Sequence, residues 1–235
     1  MPTNFFKTVN TYGAMLNKLA IANFFVGLIA FYFITTQYST LNDIATRFSQ
    51  DISISGFKIP LGFLVPPLGL AIFFRIIKLH DRISDVFRLR EFYDWEYVLK
   101  PIMDTVESNL DKKTVMLNRE RLMSKVFYRY ASSRDDNSVV DKHIIEMVLD
   151  QLTWYWMIIE TSFIVLSVFV ILLYLEAFEH ALFVFYLGLG LVAFSKVLQG
   201  SCSKYTSQEV EVILDSAHRK REIKEQFDAL QNKRP

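Results

Sequence analysis

One ionisable carboxyl stands inside an apolar run long enough to cross a bilayer. It is Glu160, in Met157-Ile158-Ile159-Glu160-Thr161-Ser162-Phe163. An acid at that depth is costly and turns toward protein or water, not toward lipid. Three readings stay open. Glu160 lines a pore or cavity of an oligomer, pairs as a structural ion with Arg75 or Lys196, or packs in a protonated, hydrogen-bonded form. Asn23 is a further polar group within an apolar run. Pro66-Pro67 lies in the middle of another, where two missing backbone donors make either a hinge able to gate or a static kink. Glu176, Glu179 and His180 crowd a short connection. They would form an acidic external mouth for cations in an oligomer, or simply a polar turn, and the turn is the better reading. Arg219-Lys220-Arg221 with Lys224 could meet anionic lipid or a nucleotide-type ligand, but Glu222, Glu225 and Asp228 interleave with them and suggest a solvated face.

The remaining chemistry is sparse. His80 and His143 stand alone, and no His or Cys cluster has metal-ligand spacing. No glycine-rich phosphate loop and no nucleophile elbow occurs. No catalytic residue, metal or cofactor is therefore expected. The single cysteine, Cys202, allows no intrachain disulfide.

The elements that must position these residues are four apolar runs, at about 19–36, 59–77, 153–175 and 181–198. The chain has 235 residues, 51% of them hydrophobic and 21 of them Phe, with a net charge of +1. Those apolar residues are gathered in blocks, whereas 79–151 and 199–235 carry most of the charge. With the N-terminus in the cytoplasm, 24 of the 26 Lys and Arg residues fall inside and only Arg47 and Lys58 outside. That asymmetry sets an orientation with both termini cytoplasmic. The first run is too long for an ordinary signal-peptide core and reads as an uncleaved span.

Between the second and third spans, Ile83, Val86, Phe87, Phe92, Trp95, Val98 and Leu99 recur near helical spacing. Pro101 should start a new helix, and Asp111 should cap another that carries Met116, Leu122, Met123, Val126, Phe127 and Tyr130. Residues 132–137 read as a loop. Ser138 with Asp141 then signals the start of a helix that runs from Val139 unbroken into the third span. Trp154, Tyr155 and Trp156 would form an aromatic belt at the lipid boundary. Gly188, Gly190 and Ala193 allow close packing of the fourth span, and Lys196 snorkels to the inner headgroups. Gly200-Ser201 suggests a break before a charged C-terminal helix with Val210, Ile213, Leu214, Ala217, Phe227 and Leu230 as its packed stripe.

Two resemblances follow. The string Arg75-x4-His80 resembles the ribonuclease motif of the HEPN family, which would imply catalysis by that pair. Its position at the lip of a span departs from that family, and an interfacial arginine beside a solvated histidine is the preferred reading. The layout as a whole resembles small membrane subunits of anti-phage defence systems such as Kiwa and Hailong: few spans, little outside, a cytoplasmic helical module and no catalytic motif. That resemblance implies a protein that senses infection or disturbs the membrane when a partner engages its inner face. The expected fold is all-α and polytopic, with four transmembrane helices and a cytoplasmic helical domain. The expected function is a homo-oligomeric gated pore or membrane-disrupting effector, a tetramer for choice. The alternative is a non-conducting sensor or anchor that recruits a soluble cytoplasmic partner. Direct nucleic-acid binding is not expected.

Overall fold

The structure is a computed structural model that describes residues 8–47, 51–54, 57–132 and 138–231. In chain order the elements are α1 (Tyr12–Gln37), α2 (Ser39–Arg47), β1 (Asp51–Ile54), β2 (Phe57–Pro60), α3 (Leu61–Ile77), α4 (Leu79–Phe87) and α5 (Leu89–Tyr93). They continue with α6 (Lys100–Thr105), α7 (Lys112–Leu117), α8 (Arg119–Leu122), α9 (Lys142–Tyr174), α10 (Phe178–Leu214) and α11 (Ala217–Gln231). Two π-helical segments, Asp94–Leu99 and Met123–Tyr128, follow directly on α5 and α8. Among the described residues the fold is helical apart from one antiparallel hairpin, β1–β2, with Asp51 opposite Pro60 and Ile54 opposite Phe57. The hairpin and α2 lie mostly between the first two apolar runs, and β2 reaches into the start of the second at Ile59–Pro60.

The chain divides into two compact units. An apolar unit holds Gly13–Arg82 and Thr153–Leu198, and a polar unit holds Met1–Tyr12, Ile83–Leu152 and Gln199–Pro235.

In the apolar unit, α1, α9 and α10 are each long and apolar enough to cross a membrane. The 17 residues of α3 span roughly 25 Å, short of a ~30 Å hydrocarbon core, at 1.5 Å per residue. It reaches spanning length only together with α4, across a 58° bend. That bend falls at Lys78, in the left-handed region with φ 50°. Both prolines lie inside α3. Pro67 is buried and packs where α1 comes closest: a Cβ on Gly27 would sit 3.5 Å from the Pro67 Cβ. Pro66 is exposed. Gly62 permits a tighter approach, because a Cβ there would collide with the Ala45 carbonyl of α2. Between α9 and α10, a Cβ on Gly188 would meet Leu166 at 3.0 Å, and the Phe169 and Phe185 rings are 5.1 Å apart. Gly190 and Ala193, expected to share that close packing, are exposed instead. The outer surface of the unit is apolar: Ile29, Ile76, Val170, Tyr174 and Phe183 are all well over half exposed. In water such a surface would be a liability.

The α9–α10 turn is built by hydrogen bonds that close the end of α9. The Glu176 N–H donates to the Leu173 carbonyl at 3.1 Å, and the Ala177 N–H donates to Leu172 at 2.9 Å. This pattern places Glu176 in the left-handed position, with φ 59°.

The polar unit has its own hydrophobic core, which includes Leu99, Ile102, Val115, Val126, Ile213, Ile223 and Phe227. The π segments change what the periodicity suggested. No new helix begins at Pro101: Leu99 and Lys100 keep helical dihedrals and α6 continues directly from the π segment. The widened π register accommodates the donor that proline lacks. Asp111 occupies the N-cap position of α7 but makes no side-chain cap bond. At α9 the cap is Asp141, whose Oδ1 accepts from the His143 N–H at 2.7 Å, so the helix starts at Lys142 and not at Val139. The Ser138 hydroxyl instead donates to the Tyr130 carbonyl. Most of the 132–137 loop lies outside the described residues. Val86, Phe87 and Phe92, taken from periodicity as packed, are exposed. A left-handed Arg88, φ 52°, breaks the helix between α4 and α5 and resets its phase.

Gly200 does not break α10, which runs unbroken through it to Leu214. A helical glycine costs only about 1 kcal/mol, and the buried stripe of Cys202, Thr206, Glu209, Val210 and Ile213 holds the helix together. The break comes at Asp215–Ser216. There Arg219 donates from Nε to the Ile213 carbonyl and from Nη2 to the Val212 carbonyl, both at 2.8 Å. The first residue of the basic run is thus a helix C-cap. Ala217 is exposed and Ile223 takes a place in the stripe.

Candidate functional site

The buried polar residues of the apolar unit converge. From α9, Glu160 is 2% exposed; from α1, Asn23 is 2% exposed; from α4, His80 is 1% exposed. Asn23 Nδ2 donates to Glu160 Oε2 at 2.6 Å. The His80 backbone N–H donates to Glu160 Oε1 at 3.0 Å. His80 Nδ1 lies 3.4 Å from the same oxygen, and its Nε2 lies 3.6 Å from Asp81 Oδ1. The Trp156 ring, one turn before Glu160, lies 5.7 Å from the His80 ring.

The break at Lys78 creates this arrangement. It starts α4 afresh, so the His80 N–H lies in a first helical turn, where backbone donors have no partner within the helix. The Glu160 carboxylate supplies that partner from α9. It also sets a carboxyl oxygen at a helix N-terminus, where the macrodipole favours an acceptor. Both carboxylate oxygens are engaged, which is the condition for burying the group at tolerable cost.

Of the cations the sequence offered for Glu160, neither takes that place: Arg75 and Lys196 are both exposed. His80, expected to be solvated, is among the most deeply buried side chains of the unit. Nothing in a linear string shows the left-handed break that brings the start of α4 against Glu160 of α9. A second feature missed in sequence is Lys18, 6% exposed, whose ammonium sits 4.9 Å over the Trp154 ring. Tyr155 and Trp156 are buried and form no peripheral belt.

Glu176, Glu179 and His180 are not brought near Glu160. Sixteen residues separate Glu160 from Glu176 along the chain, roughly 24 Å of helix. Glu176 and Glu179 are exposed, and the His180 ring packs edge-on against Phe33 of α1 at 5.7 Å. Among the described residues no group of three or more His, Cys, Asp or Glu could hold a metal.

The polar unit holds a separate buried cluster. Asp94 opens the first π segment and binds Arg119 Nη1 at 2.8 Å. Burial drives its carboxyl up to about 6 despite that guanidinium. Tyr93 Oη bonds the Cys202 carbonyl at 3.1 Å and pairs with Thr206 Oγ1. Glu209, 3% exposed, is pushed by burial up to about 8. Cys202 is buried and its thiol is pushed up to about 12, so it is an inert structural thiol.

No solved structure matches the chain. Over 183 residues, 75% of either chain, it is 25% identical to a protein of Escherichia coli (strain K12) named "Uncharacterized protein YmfE". Neither comparison carries a link to anti-phage defence or to ribonucleases. The profile of the YmfE protein family matches residues 11–229, which takes in both units. The chain belongs to the YmfE family.

Proposed function

We propose that this protein is an inner-membrane protein that threads the bilayer four times, keeps both termini in the cytoplasm, and acts as a non-conducting anchor presenting its polar unit to a soluble partner. The observation that carries this reading is the state of Glu160. The one carboxylate among the four apolar runs is 2% exposed and is held on both oxygens by Asn23 and His80 of the same chain. A group so engaged joins helices and does not line a water path. The apolar exterior and the sorting of Lys and Arg support insertion and orientation. Asn23 and Glu160 find their partners within one chain, so the anchor needs no second subunit to satisfy them.

The gated-pore reading requires Glu160 to leave Asn23 and His80 and face water, and any trigger must bind that open state better than the closed one. The test is ion flux from liposomes containing the purified protein. The anchor predicts potassium and proton leak no greater than in protein-free liposomes, for wild type and Glu160→Gln alike. Conductance that depends on Glu160 would establish the pore.

A further inference from the structure

The buried cluster of the polar unit holds two polar groups that nothing nearby satisfies. On α10, Thr206 and Glu209 lie one turn apart on the same face, and both are buried. Thr206 is engaged, since it pairs with the Tyr93 hydroxyl, which also donates to the Cys202 carbonyl. Glu209 is not. It is 3% exposed, and among the described residues its carboxyl takes part in no hydrogen bond and no ion pair. Burial alone raises that carboxyl, with no neighbouring cation to offset it. Arg119 and Arg90 act on Asp94 instead, and Arg119 is held there at 2.8 Å. The second group is the Tyr128 hydroxyl, at the end of the second π segment. Tyr128 is 52% exposed, yet its hydroxyl is desolvated and pushed up to about 12, with Asp94 and Glu209 both adding to the rise. Among the described residues that hydroxyl makes no hydrogen bond. The ring thus meets solvent while the hydroxyl dips toward the acids. No fully buried side-chain oxygen of the described residues lacks a partner. The unpartnered Glu209 oxygens therefore keep a trace of access to the surface, beside a tyrosine whose hydroxyl nothing holds.

We propose that Glu209 and Tyr128 form a receptor for an alkylammonium group, with the Glu209 carboxylate as counter-ion, the Tyr128 hydroxyl accepting one N–H, and the exposed Tyr128 ring carrying the alkyl stem. The site lies wholly within the polar unit and does not depend on the membrane reading. A buried carboxyl without a donor calls for one, and a charged donor offsets its burial best. An ammonium brings three N–H groups, a compact charge and attraction to an aromatic face. A divalent metal is poorly served, because among the described residues no group of three or more His, Cys, Asp or Glu could surround it. Binding at pH 7 is a proton exchange. Glu209, raised to about 8, starts mostly as the neutral acid. The ammonium pairs with the carboxylate, and the proton of the acid leaves to solvent. Asp94, raised to about 6 and held by Arg119, is already mostly ionised at that pH and contributes little. The Tyr93 and Tyr128 phenols, both pushed up by burial, stay neutral throughout. A lysine side chain of a soluble protein and a free aliphatic amine share this chemistry.

The test is calorimetric titration of the full chain in detergent with n-butylammonium chloride, at constant ionic strength and in two buffers of different ionisation enthalpy. Binding is expected with release of close to one proton at pH 7, and it should tighten as pH rises from 6 to 8. Glu209→Gln should weaken it about tenfold or more, and Tyr128→Phe about threefold. The proton count is read on the wild type, so it decides the matter even where a variant folds poorly. 1-Butanol, the same stem without the charge, should not compete. A blocked Gly-Lys-Gly peptide is the second probe. Tighter binding than n-butylammonium supports a dock for the lysine of a partner protein, and weaker binding supports a site for a free amine. Absence of binding by the wild type, equal affinity in Glu209→Gln, or binding without proton release would each overturn the receptor. A preference for n-butylguanidinium would overturn it as well. All of these results leave the liposome test of the anchor unaffected.

Discussion

Glu160, Asn23 and His80 form one unit of interaction, and the substitutions that probe it should show coupling. Glu160→Ala removes the acceptor of the Asn23 amide and of the His80 backbone N–H. Leaving buried donors unpaired costs about 1–3 kcal/mol, so the detergent unfolding midpoint should drop clearly. Asn23→Ala alone should cost less, and the double variant less than the sum of the two, because the shared bond is lost only once. His80→Ala should be milder than Glu160→Ala, since the backbone donor survives the change. At Glu209 the expectation concerns pH. Burial raises its carboxyl from 4.5 to about 8, so folding favours the protonated form. The resulting stability is fully present below about pH 4.5 and is lost as pH rises toward 8. Asp94, raised from 3.8 to about 6, acts in the same direction over a lower window. Thermal melts from pH 5 to 8.5 should fall in midpoint as pH rises. Glu209→Gln should flatten that slope and raise the midpoint at pH 8 by a few degrees; an unchanged slope would show that Glu209 does not titrate there.

At the scale of elements, the junctions carry the information. Arg219 donates to the last carbonyls of α10 through two bonds. Arg219→Ala should cost about 1–3 kcal/mol, whereas Lys220→Ala, an exposed neighbour, should stay within about 0.5 kcal/mol. Chemical denaturation of the three proteins side by side decides it. Glu176 holds a left-handed conformation that costs a non-glycine residue about 1 kcal/mol. Glu176→Gly should therefore stabilise the chain slightly, while an acidic mouth at that position would show altered cation attraction instead. Gly62→Ala should be poorly tolerated, because the Ala45 carbonyl occupies the position of the new methyl group; low yield or a lowered melting temperature is the expected result. These junctions were only partly legible in sequence. Asp141 announces the start of α9 through a familiar residue type, and the α9–α10 turn falls where polar residues interrupt two apolar runs. The breaks at Lys78 and Arg88 carry no such mark, since both residues are ordinary helix formers that nonetheless adopt left-handed φ.

For the molecule as a whole, the four-span threading is open to a direct check. Thr40→Cys should react with an impermeant maleimide on intact cells, and Ser207→Cys only after the membrane is opened. The reverse pattern would invert the topology. What the sequence determined by itself is the distribution of material: four apolar blocks and two charged regions that hold most of the Lys and Arg. Local composition suffices for this, because transfer of a segment to an apolar phase depends on the segment's own side chains. The long α9, Phe227 and Leu230 of α11, and most of the polar unit's core were legible for the same reason. Tertiary structure alone decided which polar residues meet. Glu160 looked for a cation and found an amide and a helix N-terminus, Arg219 left the solvated face to cap α10, and Gly200 passed without a break. Each outcome depends on a partner far away along the chain, and a hydrogen bond between distant residues leaves no period in the sequence from which it could be read.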